Sequence, residues 1–467
     1  MSERRIATTN GRERVINNAV IDKFAADLRG ELLCTDDQRY DAARKVWNGM
    51  IDKRPALIAR CTGTADVISC LRFARELDLL VSVRGGGHHY AGKSVCAGGL
   101  MIDLLPMKGI RVDPAGRTAR AQPGLRLGEF DHETQAFGLA TTLGVNTDTG
   151  IAGLTLGGGY GWLGGKFGLA CDNLLSVDVV TVDGRLVVAS ATENEDLFWG
   201  IRGAGANLGI VTSFEYRLHH VGPVLGGMVV YPLNQGKEAL KLYDEFSNTC
   251  PDEVNTVALL FTTPTGDPAV AIAVCYCGPL DRGEKVLEPL TRLGAPLAND
   301  IAVKSYLQLQ TMFDTAWPPG RLYYIKSNVV RRLSEAAIDR YLDYARTMPT
   351  PLSAIAFQQL HGAASRVGPG DTAFPHRYDH FNLYIHPATD DPADASKIVR
   401  WGRQCWEAMQ PYVDRAVYVN GMEDAAAGSE QPVRDAYGAN YDRLASLKKQ
   451  YDPTNFLTGN QNIKPAA

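Results

Sequence analysis

The sequence predicts an α+β fold made of more than one packed domain. At 467 residues the chain is too long for a single ordinary hydrophobic core. Three patterns carry the prediction: a strand–helix–strand unit that begins near residue 54, a hairpin at Asp183-Gly184, and an alternation of apolar strands with helices in the middle third. The chain has no internal repeat and no low-complexity linker.

The strand–helix–strand unit occupies residues 56–83. An apolar strand at residues 56–59 is followed by Thr64, which suits a helix N-cap, and then by apolar residues at helical spacing through Ala74. Residues 79–83 form the second strand. Because a glycine-rich loop leaves this strand, the unit can hold a ligand on backbone amides.

The hairpin joins two apolar strands, at residues 175–182 and 185–188. The Asp-Gly pair between them supplies the positive φ that a type I′ turn requires. The first half of the chain therefore mixes helices with strand pairs.

The middle third predicts a second domain. Beyond about Tyr216 the dense glycine clusters end, and strands such as residues 257–261 alternate with helices such as residues 334–345. A long helix from about Arg434 to Tyr451 then precedes the closing segment.

Composition and charge exclude several classes of protein. A hydrophobic content of 45%, a charged content of 21% and a net charge of -4 are typical of a globular protein and give no electrostatic reason for a nucleic-acid partner. The charged amino end is followed by polar residues, unlike a secretory signal, and no apolar run approaches the roughly 18 residues of a membrane helix. We expect a cytoplasmic protein without a membrane partner.

The nine cysteines form an odd set, which argues against a secreted disulfide framework. Cys275 and Cys277 would place both sulfur atoms on one face of an apolar strand. A zinc site would need two more ligands, and none is evident nearby. We expect reduced core cysteines and no metal site.

Two glycine-rich segments are the candidate ligand site. Residues 84–90 read RGGGHHY, and residues 144–161 contain seven glycines in eighteen positions. Glycine loses the most entropy on folding, so this density favours a large cofactor lying against the backbone. For the first segment alone, a tight turn with a solvated histidine is an equal alternative.

Two segments have the residue pattern of a nucleotide-binding motif but lack the helix that should follow it. Residues 159–164 spell GxGxxG, but further glycines interrupt the helix that should follow. Residues 87–94 spell a P-loop after a strand, but residues 95–99 cannot open the required helix. Both interpretations are therefore disfavoured.

Four segments together resemble the FAD-linked oxidases of the vanillyl-alcohol-oxidase superfamily, in its berberine-bridge-enzyme-like branch. They are RGGGHHYAG, GVNTDTGIAGLTLGGGYGWL, ATENEDLFWGIRGAGANLGIVT and YDPTNFLTGNQNI, in family order over about residues 50–220 and 435–464. The resemblance implies a two-subdomain PCMH-type FAD-binding domain and a second α/β substrate domain built on an antiparallel sheet. The implied boundaries are 1–218 for the FAD domain, with its core at about 50–218, 219–434 for the substrate domain, and 435–467 for a segment that returns to the FAD domain.

The resemblance also implies how FAD is held. In the family the histidine that matches His88 is joined to the flavin 8α-methyl group, and a second link comes in many members from a cysteine where this chain has Asn146. We therefore expect one covalent link, through His88, and no cysteinyl link. The full set of expected FAD contacts is Arg84, Gly85, Gly86, Gly87, His88, His89, Tyr90, Gly144, Thr149, Gly150, Gly153, Gly158, Gly159, Tyr160, Gly161, Asn173, Gly209, Ile210, Val211, Asn460 and Asn462.

The catalytic base is harder to assign. Alcohol-oxidising relatives often carry a catalytic tyrosine at the end of a YxNY segment. The matching residues 418–421 of this chain read YVNG, so Gly421 stands at the position of that tyrosine. This departure favours C–N oxidation, because a neutral amine can lose hydride without a strong base. The expected catalytic candidates lie on strands of the second domain: His361 and Gln359, which share one face with Phe357, and Tyr384 and Tyr324.

The resulting hypothesis is hydride transfer from a small aromatic, amine or alkaloid-like donor to FAD, with molecular oxygen as acceptor and hydrogen peroxide as product. The alternatives are a sugar or secondary-alcohol oxidase, a dehydrogenase with another electron acceptor, and a flavin-binding relative without turnover. The sequence leaves the oligomeric state open.

Overall fold

The computed structural model describes residues 3–423 and 430–467, which form three large β-sheets with helices packed around them. The first sheet confirms the strand–helix–strand unit. Leu57–Arg60 and Val81–Arg84 both run parallel to Leu100–Asp103 between them, and the helix Thr64–Glu76 connects the two outer strands. Glu31–Cys34 adds an antiparallel edge.

The second sheet is antiparallel and contains the expected hairpin. The turn differs from type I′, because only Gly184 of the Asp-Gly pair has positive φ, at 81°. The Gly184 N–H donates to the Thr181 carbonyl at 2.8 Å, so the chain turns one residue earlier and the glycine forms a bulge. The spatial order of the strands is Leu186–Ser190, Leu174–Val180, Ile210–Arg217, Thr118–Ala121 and Ile110–Asp113.

The third sheet is antiparallel and has eight strands among the described residues. Their spatial order is Ala298–Asn299, Val224–Pro232, Pro268–Tyr276, Val254–Thr262, Ala354–Leu360, His380–His386 and Lys326–Val330, with Ala302–Lys304 also paired to the second of these.

Four amphipathic helices cover one face of the third sheet and bury an apolar core against it. The opposite face packs against the glycine-rich half of the chain, through residues such as Val257, Leu259 and Ala356. This second contact places the candidate site between the two halves. The four helices are Gly236–Ser247, Leu280–Thr291, Glu335–Arg346 and Ala395–Met409.

The expected long helix near the carboxyl end is two helices. Gln431–Tyr437 and Tyr441–Tyr451 are separated at Gly438, whose φ of 47° lies in the left-handed region that ends a helix. The single-helix prediction followed the apolar spacing across this glycine and was wrong there.

Short elements complete the fold. No helix among the described residues is long and apolar enough to cross a membrane. The paired short strands are Glu3–Ala7 with Glu13–Asn17, Leu139–Ala140 with His219–His220, and Leu322–Tyr323 with Ala388–Thr389. The remaining α-helices are Asn18–Ala26, Tyr40–Arg44, Leu127–Gln135, Ile151–Leu156, Gly164–Phe167, Glu195–Ala204, Tyr306–Gln310 and Ala363–Arg366.

Candidate functional site

A cavity of about 300 Å³ lies between the glycine-rich half and the third sheet. Its first wall is the loop that leaves the strand Val81–Arg84. Arg84 anchors this loop from behind: its guanidinium contacts both Asp103 carboxylate oxygens, at 2.8 and 2.6 Å, and is buried. Arg84 therefore positions the loop and does not line the cavity, contrary to its expected role as an FAD contact.

The two glycine-rich segments touch each other at Gly86 and Gly150. A Cβ atom on Gly86 would lie 2.4 Å from the Gly150 Cα atom, and the reverse substitution would meet Gly86 in the same way. Only glycine allows this close approach. The contact brings both segments into one cavity wall, as the sequence suggested.

His88 borders the cavity beside Trp47. The two rings stack with centroids 4.5 Å apart, and the His88 Nε2 atom has no hydrogen-bond partner in the described part of the chain. Burial, and secondarily the nearby Arg126 charge, lowers the pKa of His88 to about 3. The imidazole is therefore uncharged at neutral pH and keeps a nitrogen lone pair.

The carboxyl-terminal segment forms another part of the wall. The Asn460 side chain donates to the Ala206 carbonyl at 2.8 Å, while its Oδ1 atom is buried and has no partner among the described residues. Gln461 lies 3.5 Å from His89 Nε2. The closing segment thus returns to the glycine-rich half.

Twelve of the expected FAD contacts line this cavity. They are Gly85, Gly86, Gly87, His88, His89, Tyr90, Gly144, Thr149, Gly150, Gly153, Tyr160 and Asn460.

The other expected contacts do not line the cavity. A Cβ atom on Gly161 would lie 1.8 Å from the Leu143 carbonyl oxygen, and the Asn173 side chain donates to Phe167 and Leu169 carbonyls. Gly161 and Asn173 therefore contact protein groups and shape the wall, whereas the Asn462 Oδ1 atom is buried without a partner among the described residues. Besides Arg84, this set is Gly158, Gly159, Gly161, Asn173, Gly209, Ile210, Val211 and Asn462.

The third sheet supplies another part of the wall, and the prediction that Phe357, Gln359 and His361 share the face turned to the cavity was wrong. Ala356 and Gln358 line the cavity, so the alternating residues Phe357 and Gln359 point to the covering helices. Gln359 is buried and donates to the Ser247 carbonyl at 2.5 Å. It is not placed to act on a bound donor.

Two further catalytic candidates also lie away from the cavity. His361 follows the strand, and its Nε2 atom donates to the Val254 carbonyl at 2.6 Å. Tyr324 accepts from the Arg403 guanidinium at 3.2 Å in an exposed position. Of the four candidates only Tyr384 lines the cavity.

The backbone position of Gly421 has no room for a side chain. A Cβ atom there would lie 2.6 Å from Ser327 Oγ and 3.1 Å from the edge of the Tyr384 ring. Tyr384 and Ser327 thus occupy the space beside this glycine.

Several cavity residues were missed from the sequence. His386 is two residues beyond Tyr384 on the same strand, so strand alternation alone could have identified it. Trp47, Phe313 and Trp317 come from irregular or short segments and gave no such signal.

The cavity chemistry fits FAD. Among its described lining residues Lys93 is the one with a formal charge at neutral pH, and the rest are glycines, apolar or aromatic groups and neutral polar groups. Such a lining suits a large planar ring system, with glycine backbone available for a diphosphate.

We expect a Gly86→Ala substitution to lower both stability and FAD content. The added methyl group would overlap Gly150, and overpacking of this kind costs about 1–3 kcal/mol. Thermal unfolding and flavin absorbance per chain measure the two effects. Gly222→Ala is the control, because its Cβ would meet no atom within 4 Å. Equal melting temperatures for the two variants would show that the contact is not tight.

Comparisons with known proteins identify an FAD-binding domain in this chain. A family model described as FAD binding domain matches residues 55–190, and one described as berberine and berberine like matches residues 417–464. These matches contain the His88 loop and the carboxyl-terminal wall, respectively.

Individual relatives match nearly the whole chain. An FAD-linked oxidoreductase of Dictyostelium discoideum is 31% identical over 451 residues, covering 96% of this chain and 97% of the relative. The (R)-6-hydroxynicotine oxidase of Paenarthrobacter nicotinovorans is 29% identical and covers 94% and 97%, respectively. The crystal structure of 6-hydroxy-D-nicotine oxidase from Arthrobacter nicotinovorans matches with a TM-score of 0.87 at 28% identity, over 94% of this chain and 98% of that one. The chain therefore belongs to the berberine-bridge-enzyme-like family of FAD-linked oxidoreductases.

Proposed function

We propose that the chain holds FAD through a single covalent bond to His88 and oxidises a small aromatic or amine donor, with molecular oxygen as the final electron acceptor. Bound FAD supplies the hydride acceptor for this chemistry. The chain's own residues hold the cofactor, exclude water and orient the donor.

The observation that carries the proposal is the state of His88. Its ring is uncharged at neutral pH, faces the cavity and is held in place by stacking on Trp47. An uncharged imidazole nitrogen can form a bond to carbon, whereas a protonated one cannot. Asn146, which lines the same cavity, has no thiol and offers no second link.

The donor class rests on the residues that line the cavity. No described lining residue carries a carboxylate, so histidine and tyrosine side chains are the remaining candidates for a general base in the cavity. An amine needs such a base less than an alcohol, because its nitrogen lone pair stabilises the developing positive charge. The oxidation of a hydroxynicotine by a relative 29% identical to this chain supports the same donor class.

Anaerobic mixing of the yellow protein with candidate donors tests this function. We expect uncharged amines that carry an aromatic ring and a C–H bond on the carbon next to the nitrogen to bleach the flavin absorbance faster than sugars or secondary alcohols do, and admission of air to restore it. Slow recolouring would contradict oxygen as acceptor and favour a dehydrogenase. If no donor bleached the flavin, the protein would be a flavin-binding relative without turnover.

A further inference from the structure

His386 lies in the cavity wall next to Tyr90, which belongs to the loop that carries His88. It is the last residue of the strand His380–His386, and strand alternation puts it on the same face as Tyr384. The two ring centroids are 5.5 Å apart, and both residues line the cavity. His386 therefore belongs to the part of the wall that the third sheet contributes.

Aromatic rings surround His386 on several sides. Tyr90, from the His88 loop, meets it edge-on at 5.8 Å, and Trp317 is tilted against it at 5.8 Å. Phe313 packs against Trp317 at 5.2 Å. Rings at these distances and angles suit edge-to-face or stacked contact with a further planar ring.

The imidazole of His386 has unused hydrogen-bonding capacity. Its side chain is only 7% exposed, and the Nδ1 atom is buried without a partner among the described residues. Buried polar atoms in proteins almost always have a partner, so this one points to a bound group or water. Burial lowers the pKa of His386 to about 3, which keeps the ring uncharged.

The surrounding lining disfavours charged donors and sugars. The third-sheet residues that line the cavity carry no formal charge, so a charged donor beside them would lose its hydration without meeting an ion of opposite sign there. A sugar carries a hydroxyl group on nearly every ring carbon, and each buried hydroxyl group needs a hydrogen-bond partner. The cavity lining around His386 offers few polar side chains, among them Gln358, His386 and Asn420. An uncharged aromatic ring with one polar substituent suits the lining better.

We propose that His386 is the specificity-determining residue of the donor site, where it hydrogen bonds the hydroxyl group of an uncharged phenolic or hydroxylated heteroaromatic donor. This inference rests on the proposed function, since it assumes that the donor occupies this half of the cavity.

Calorimetric titration of the FAD-loaded protein with non-reacting probes tests the inference. We expect phenol to bind about three- to tenfold more tightly than toluene, which has the same ring without the hydroxyl group. Benzoate and glucose should bind more weakly than phenol. In His386→Phe the preference for phenol over toluene should disappear, and in His386→Gln it should be partly restored.

A His132→Asn variant is the matched control, because His132 is exposed on a helix outside the cavity. An unchanged phenol preference in His386→Phe would overturn the inference, as would tighter binding of benzoate or glucose. Acid precipitation of the unmodified protein and of each variant tests the covalent link of the proposed function independently of probe binding. If flavin leaves the unmodified protein in that assay, the covalent link fails whatever the probe preference is.

Discussion

A His88→Ala variant should release all of its flavin when the protein is precipitated with acid, while the unmodified protein should keep the flavin in the pellet. The reason is that the variant has no imidazole at the position where the covalent bond is proposed. Absorbance of the pellet and the supernatant near the flavin maximum measures the result directly.

His89→Ala is the matched control for this experiment. His89 is the next residue in the same loop and also lines the cavity, but its Nδ1 atom accepts a hydrogen bond from the Ala91 N–H at 3.1 Å. We expect this variant to keep its flavin in the pellet. Release from His89→Ala together with retention in His88→Ala would reassign the link to the neighbouring histidine.

Loss of the ring also removes the stacking contact with Trp47, so the fold of the variant must be checked separately. A His88→Asn variant keeps a planar polar group there and should likewise release flavin. If both variants show the circular dichroism spectrum of the unmodified protein, flavin release reports the lost bond and not unfolding.

The glycine-rich part of the site could be predicted from the sequence because its signal is local. Three glycines before His88 and seven more in residues 144–161 indicate backbone that approaches another group closely, and the structure places Gly86 against Gly150. Which glycines face the ligand and which face the protein could not be predicted. Gly161, for example, faces the Leu143 carbonyl oxygen.

The wall that the third sheet contributes was harder to predict because it depends on which face of a strand is turned inward. Moving the inward face by one residue exchanges Gln359 for Gln358. Both faces of this sheet are buried, one by helices and one by the cavity wall, so hydrophobic alternation cannot distinguish them. The sequence favours His361 because an imidazole can accept a proton near neutral pH, but its bond to the Val254 carbonyl is visible only in three dimensions.

A Lys448→Met variant should lose about 3–5 kcal/mol of unfolding free energy, because it leaves a buried carboxylate without its partner. Lys448 and Asp452 have fully buried side chains, and their Nζ and Oδ2 atoms are 2.7 Å apart. The ammonium group also donates to the Asn207 and Leu457 carbonyls, each at 3.0 Å. Burial lowers the pKa of Lys448, while the carboxylate opposes this shift.

The pair connects the last long helix to the cavity wall. Asp452 accepts backbone N–H bonds from Phe456 and Leu457, at 2.7 and 2.8 Å, and so fixes the turn that leads to Asn460. Asn207, whose carbonyl Lys448 contacts, lines the cavity itself. We therefore expect Lys448→Met to lower the fraction of purified chains that carry FAD, because the cofactor is taken up only by a folded cavity, as well as to lower the urea midpoint.

Two further variants distinguish the loss of the buried ion pair from a general effect of removing a lysine on the free energy of unfolding. Lys449→Met removes the adjacent, exposed lysine and should change stability by no more than about 0.5 kcal/mol. A double variant, Lys448→Met with Asp452→Asn, should recover part of the loss, because no unpaired charge then remains in the core. If Lys448→Met and Lys449→Met had the same urea midpoint, the pair would not be what holds the closing segment against the cavity.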